Sequence, residues 1–346
     1  MKTLYLECNM GASGDMLTSA LMELCDRQKF LDKINSLNLS GVEVSAQKTI
    51  KCGITGTQTT VKINNTEEES LDVHTHEHHG HVHSHHSHSH TSMKQITELI
   101  QGLSVSDKVK SDAIAIYQLI AEAESHAHNR PVEEIHFHEV GMMDAVADIV
   151  GVCLLMEEIS PEQVIVSPVN VGSGHVHCAH GILPVPAPAT VYLLKDIPMY
   201  SSSVNGELCT PTGAGILKYF ASAFGSMPIM KTQSVGYGFG KKEFPQLNCV
   251  RAFVGETENE PEQILELKCN LDDMTPENIG FAMEMLFEAG ALDVFTVPIG
   301  MKKNRPAVLL VCLCRPEQRE LMLHELFKHT STIGVRETVC NRYYKE

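Results

Sequence analysis

His136, Phe137 and His138 put two imidazoles two positions apart, and Glu139, Asp144 and Asp148 follow closely. In an extended segment residues two apart share a face, so His136 and His138 point at one spot while Phe137 turns into the core. Imidazoles in that arrangement suit late first-row metals. Met142 to Ile159 is apolar almost all round and predicts a buried helix, with Asp144 and Asp148 four apart on one face. Carboxylates buried without partners are costly, so these two should face a cation, a cluster of donors or a reacting group. The competing reading is a pair of satisfied core histidines beside a solvated helix edge.

A second cluster supplies His175, His177 and His180, with Cys178 among them, after a short apolar strand at Val164 to Val169. His175 and His177 again suit one strand face, and His180 closes the set from the turn. Pro184, Pro186 and Pro188 then hold the chain extended as a rigid wall. A third candidate is metal-binding by composition alone. Ten histidines fall between His74 and His90, inside a polar insertion at 66–92. Such a tract cannot build a core, and it predicts a disordered store for nickel, copper or zinc with little power to choose among them.

The remaining candidates lie towards the end of the chain. Asp272 and Asp273 could hold a hard cation such as Mg2+ or Mn2+. Lys302, Lys303 and Arg305 put three positive charges on a short connection, and Thr330, Ser331, Thr332 and Arg336 add hydroxyls and a guanidinium. Together these are the parts of a triphosphate site, with a solvated basic hairpin as the alternative.

Thr3 to Glu7 is a strand, and Gly11-Ala12-Ser13-Gly14-Asp15-Met16 turns into a helix running to about Asp26, with Ser13 as its cap. That turn could hold an anion, although Asp15 would repel a phosphate unless a cation lay between. Val42 to Lys48 and Thr57 to Ile63 alternate as paired strands, and Met93 to Leu103 and Asp107 to His126 are helices. Thr212 caps a helix at Ile216 to Ala223, and Val235-Gly236-Tyr237-Gly238-Phe239-Gly240 reads as a flexible turn series before a strand at Val250 to Val254. The polar run from Glu256 to Pro261 marks a boundary. This gives a domain at 1–256, a linker at 257–263 and a domain at 264–346. The last segment runs strand, helix, two strands, helix, strand, the ferredoxin-like βαββαβ order. The fold class is therefore α/β (α+β), a larger N-terminal α/β domain with a disordered His-rich insertion and a smaller ferredoxin-like one.

Composition narrows the function. With 27 basic and 43 acidic residues, a net charge of -16 disfavours nucleic acid or an anionic membrane as partner. The chain shows neither a secretory signal nor a membrane span. Eleven cysteines without a CxxC pair suit a reduced, cytoplasmic protein, with Cys312 and Cys314 as core residues.

Taken together, the motifs Gly11 to Met16, His136 to Asp148, His180-Gly181 through Ala189, Thr210 to Ala214, Asn270 to Glu277, Gly290 to Val294, Met301-Lys302-Lys303 and Thr332 to Arg336 resemble the LarC family of nickel insertion proteins. The resemblance implies a lyase-class cyclometallase that uses CTP to insert nickel into a pyridinium mononucleotide bearing two thiocarboxylates. The product would be the nickel-pincer nucleotide of lactate racemase, and the apo-racemase a partner. It also implies that CTP is cleaved to CMP and diphosphate with Mg2+ or Mn2+. The second domain would bind it through Lys302, Lys303, Arg305, Thr330, Ser331, Thr332 and Arg336, with Asp272 and Asp273 near the cation. Glu139, Asp144 and Asp148 are the candidates for acid-base work, because a nickel-carbon bond requires loss of a ring proton. A homo-oligomer is expected, and the likeness implies that members continue for several tens of residues beyond the equivalent of Glu346. A nickel store or metallochaperone and a metal-dependent hydrolase are the other classes compatible with paired histidines.

Overall fold

The computed structural model describes residues 1–64, 66–67, 91–137, 143–178, 181–257 and 262–343. The His74 to His90 tract, His138, Glu139 and His180 lie outside the described residues. The chain divides into two compact units, Met1–Glu258 and Asn259–Glu346. It is mixed α/β, with a large sheet and helices in the first unit.

The sheet of the first unit runs in the order Ala223–Phe224, Gln163–Val166, Lys2–Glu7, Cys249–Thr257, Met230–Phe239, Ile54–Ile63, Val42–Lys51. Lys2–Glu7 is central: Leu4, Tyr5 and Leu6 are all buried, as a strand covered on both faces requires. It pairs parallel with Gln163–Val166 and antiparallel with Cys249–Thr257. The helices are α1 (Gly14–Met22), α2 (Arg27–Ser36), α3 (Met93–Gly102), α4 (Asp107–His128), α5 (Met143–Ile159), α6 (Pro188–Leu193) and α7 (Pro211–Phe220). In α4 the buried residues Val109, Ile116, Tyr117 and Ile120 recur at helical spacing. α5 is buried almost all round, in keeping with its apolar sequence.

Several local expectations are corrected. The glycine series at Val235 to Gly240 is not a turn: it ends the strand Met230–Phe239. Its glycines are there for α1, whose backbone lies directly on them. A Cβ at Gly236 would sit 2.1 Å from the Ala20 carbonyl oxygen, and one at Gly238 would sit 2.0 Å from that of Met16. The first helix stops at Met22, and α2 starts afresh behind Asp26, whose carboxylate accepts from the Gln28 and Lys29 N–H groups. Ser13 occupies the cap position of α1 without capping it, because its hydroxyl donates to Asp15 instead. α7 begins earlier than expected, and Thr210, not Thr212, is its cap, accepting from the Gly213 N–H at 3.1 Å. Pro188 opens α6 and does not prolong an extended wall.

In the second unit the order is strand Glu262–Leu271, α8 (Pro276–Glu288), strands Asp293–Met301 and Arg305–Cys314, α9 (Arg319–His329) and strand Arg336–Arg342. The sheet order is Asp293–Met301, Arg305–Cys314, Glu262–Leu271, Arg336–Arg342, with every neighbouring pair antiparallel. Leu267, Cys269, Leu310 and Cys312 on one sheet face pack with Leu286 of α8 and with Met322 and Leu326 of α9. Cys312 and Cys314 are core residues, both fully buried. Thr275 caps α8, with Pro276 in its first turn and Gly290 at φ +99° beyond its end. Among the described residues no helix is long and apolar enough to cross a membrane.

Candidate functional site

α1 and α5 meet at Gly14 and Asp148. A Cβ on Gly14 would lie 2.5 Å from Asp148 Oδ2 and 2.7 Å from Asp148 Cβ, so only glycine lets the start of α1 approach this carboxylate. Asp15, next on α1, accepts from the Ser13 hydroxyl and from the Met16 N–H at 2.9 Å. Asp144, one turn before Asp148 on α5, accepts from the Ala145 N–H at 2.7 Å. Asp148 Oδ1 is buried and has no hydrogen-bond partner among the described residues.

The electrostatics follow from that placement. Burial first, then repulsion from Asp15 and Asp144, pushes the Asp148 carboxyl well above the usual carboxylate range, with Lys241 pulling the other way. Burial also raises Asp144, opposed by the Ala145 N–H and Lys241 and reinforced by Asp15. The Tyr117 hydroxyl is raised by burial and by both α5 carboxylates. Three carboxylates, one lysine and one phenol therefore share a single field. Sequence reasoning found Asp144 and Asp148 through their helical spacing. It missed Lys241 and Tyr117, which come from distant segments and carry no local motif.

The turn before α1 is held by the start of α7. Ala12 donates to the Leu208 carbonyl at 3.0 Å and accepts from the Thr210 N–H at 3.1 Å. A Cβ at Gly213 would fall 2.1 Å from the Ala12 carbonyl oxygen. The small residues of Thr210-Pro211-Thr212-Gly213-Ala214 thus serve close contact between backbones.

The histidines are placed less completely. His136 is in the strand His136–Phe137, paired antiparallel with Thr91–Ser92. Phe137 is buried as expected and meets Tyr117 edge-on at 6.0 Å, which ties this strand to the residue sharing the carboxylate field. His175 and His177 lie exposed on one hairpin strand, His175–Cys178, opposite Gly181–Pro184. Among the described residues no three His, Cys, Asp or Glu side chains converge as a metal site. The structure therefore brings Asp15, Asp144 and Asp148 together and puts His175 and His177 on one strand.

At one end of the second unit's sheet, Arg305 pairs with Asp272 at 3.3 Å, and the Ser331 hydroxyl donates to Asp273. The Ser331 N–H reaches Met274 Sδ at 3.3 Å. Arg336 donates to Asn270 Oδ1 at 2.8 Å, and Thr332 Oγ1 donates to the Gly334 carbonyl at 2.9 Å. Thr330 returns its hydroxyl to the Leu326 carbonyl at 2.7 Å. Lys302 and Lys303 sit exposed on the turn between the strands Asp293–Met301 and Arg305–Cys314, Lys303 at φ +64°. Asp272, Asp273, Arg305 and Ser331 are thus coupled pairwise, and both lysines stay solvated.

The sequence model of the Nickel insertion protein family matches residues 4–346. The chain belongs to the nickel insertion protein family. A family relative from Acetivibrio thermocellus, a pyridinium-3,5-bisthiocarboxylic acid mononucleotide nickel insertion protein, is 40% identical over 352 residues, covering 100% of this chain and 84% of the relative. A protein of the same name from Clostridium acetobutylicum is 42% identical, covering 97% of this chain and 84% of its own length. Among solved structures, the C-terminal domain of a cyclometallase involved in the synthesis of the NPN cofactor of lactate racemase aligns with 23% of this chain and 56% of that chain, at 42% identity and a TM-score of 0.23.

Proposed function

We propose that this protein inserts nickel into pyridinium-3,5-bisthiocarboxylic acid mononucleotide, using CTP, to make the nickel-pincer nucleotide of lactate racemase and related enzymes. The observation that carries this reading is identity near 40%, across nearly the whole chain, to proteins named for that insertion. The first unit is the metal and substrate domain and the second, ferredoxin-like, binds the nucleotide. Nickel is cargo, delivered by imidazoles labile enough to release it and captured by two sulfurs and a ring carbon. His136, His138, His175, His177 and His180 are the candidates for that delivery, and the His74 to His90 tract concentrates the metal. Metallation expels a ring proton, which falls to a carboxylate among Glu139, Asp144 and Asp148.

In the second unit Asp272 and Asp273 offer oxygen donors that suit Mg2+ or Mn2+. Lys302, Lys303, Arg305 and Arg336 supply positive charge for a triphosphate, and Thr330, Ser331 and Thr332 supply hydroxyls. The apo-racemase is the expected recipient, the working form is a homo-oligomer, and the site of action is the cytoplasm. The test is conversion of CTP to CMP, compared with ATP, GTP and UTP, with Mg2+ and with or without nickel and the dithiolated nucleotide. Selective CTP cleavage coupled to nickel incorporation is the expected result. Tight nickel binding without nucleotide preference would replace this reading with a metallochaperone.

A further inference from the structure

We infer that Asp15, Asp144 and Asp148 form the seat of the substrate's cationic pyridinium ring. The inference rests on the insertase reading and assigns a location to one part of its substrate.

Three carboxylates on α1 and α5 lie within one another's field, and Lys241 is the cation the field includes among the described residues. Asp148 stands out among the three. One of its oxygens is buried with no donor among the described residues, where a native protein almost always supplies one. Gly14 deepens the exception, because a side chain there would displace the Asp148 carboxylate. A buried acceptor left without a partner is costly, which points to a ligand of positive charge.

An organic cation and a metal ion ask for different geometry. A transition metal draws several donors to roughly 2.0–2.3 Å of one point. Among the described residues no three such groups converge, and Asp15 Oδ1 is already taken by the Ser13 hydroxyl and the Met16 N–H. A pyridinium spreads its charge over a whole ring. Carboxylates supplied by two helices into one field match that distribution better than they match a point charge.

A consequence concerns protons. Burial, then Asp15 and Asp144, favour the protonated Asp148, against Lys241. A ring cation alongside favours the carboxylate, so docking releases a proton to solvent. No bond to the ligand is made or broken in this step.

The test uses the full chain, free of nickel, with nicotinamide mononucleotide as the pyridinium probe. Its 1,4-dihydro form is the control, with the same ribose and phosphate but a neutral ring. Calorimetry over a range of pH, in two buffers of different ionisation enthalpy, reads both affinity and proton release. The expected result is about tenfold tighter binding of the pyridinium form, with net proton release. Asp148→Asn should bring the two forms to similar affinity and abolish the release, with Asp144→Asn showing a smaller change in the same direction. Equal affinity of the two forms for the unaltered protein overturns the inference, as does failure of the pyridinium form to bind at millimolar concentration. It is also overturned if Asp148→Asn weakens binding of Ni2+ alone and leaves the pyridinium preference intact. Nickel insertion assayed on the same preparation separates the two readings. Insertion without ring-charge discrimination removes the seat and leaves the insertase standing.

Discussion

Replacing Asp148 by asparagine should stabilise the first unit at high pH and leave it unchanged at low pH. The folded state raises the Asp148 carboxyl above its ordinary value of 3.8, through burial and then through Asp15 and Asp144. A carboxyl raised on folding binds its proton more tightly in the native state than in the unfolded chain. Stability therefore falls as pH rises from the unfolded value towards the folded one, by up to about 1.4 kcal/mol per pH unit for this single group. Below about pH 4 both states are protonated and the group contributes nothing. The amide has no such dependence. Urea unfolding of the unaltered chain and of Asp148→Asn should give similar free energies near pH 4 and diverge above it, the variant ahead by roughly 1–3 kcal/mol near pH 8. The difference between the two proteins is the informative quantity, since groups remote from Asp148 cancel in it, while Asp15 and Asp144 titrate together with Asp148 and belong to the effect. A variant equal to or less stable than the parent near pH 8 would refute the account of Asp148 as an unpaired buried carboxyl.

Other substitutions test the backbone contacts and the second unit. Gly14→Ala places its Cβ 2.5 Å from Asp148 Oδ2, so it should cost about 1–3 kcal/mol by thermal denaturation and abolish nickel insertion. Gly238→Ala, whose Cβ would lie 2.0 Å from the Met16 carbonyl oxygen, should destabilise at least as much, and an unchanged melting temperature would contradict the packing of α1 on that strand. Arg305→Ala should weaken CTP binding about tenfold, measured by calorimetry with Mg2+, while leaving the fold intact by circular dichroism. Deleting His74 to His90 should leave insertion unchanged when nickel is plentiful and reduce it when nickel is scarce. Loss at both concentrations would make the tract part of the catalytic site.

In the second unit the ends of α8 were legible in the sequence because they are punctuated. Thr275, Pro276 and Gly290 each occupy the position that their backbone chemistry favours. The buried pattern of α5 and the face carrying Asp144 and Asp148 were legible through the same periodicity. Three features were not. α2 buries little beyond Phe30 and Ile34, so its apolar stripe is too thin to stand out. Thr210 and Thr212 flank Pro211, and the structure gives the cap to the residue before the proline, since proline suits the first helical position. Gly236 and Gly238 mimic a turn because the reason for them is the backbone of α1, which lies far away in sequence. Lys241 and Tyr117 were hidden for the same reason, their partners being set by tertiary contact.

The way α1 is mounted has a dynamic consequence. On one side the helix rests on a strand through glycines, and at its start Gly14 abuts Asp148. Neither contact contains a χ angle on the glycine side that could relax under load. Asp15 and the α5 carboxylates should therefore move with the central sheet as one body on fast timescales, without the rotamer hopping that softens ordinary helix packing. Amide hydrogens of α1 should exchange only through large openings, which would place the carboxylate cluster among the last parts of the first unit to loosen.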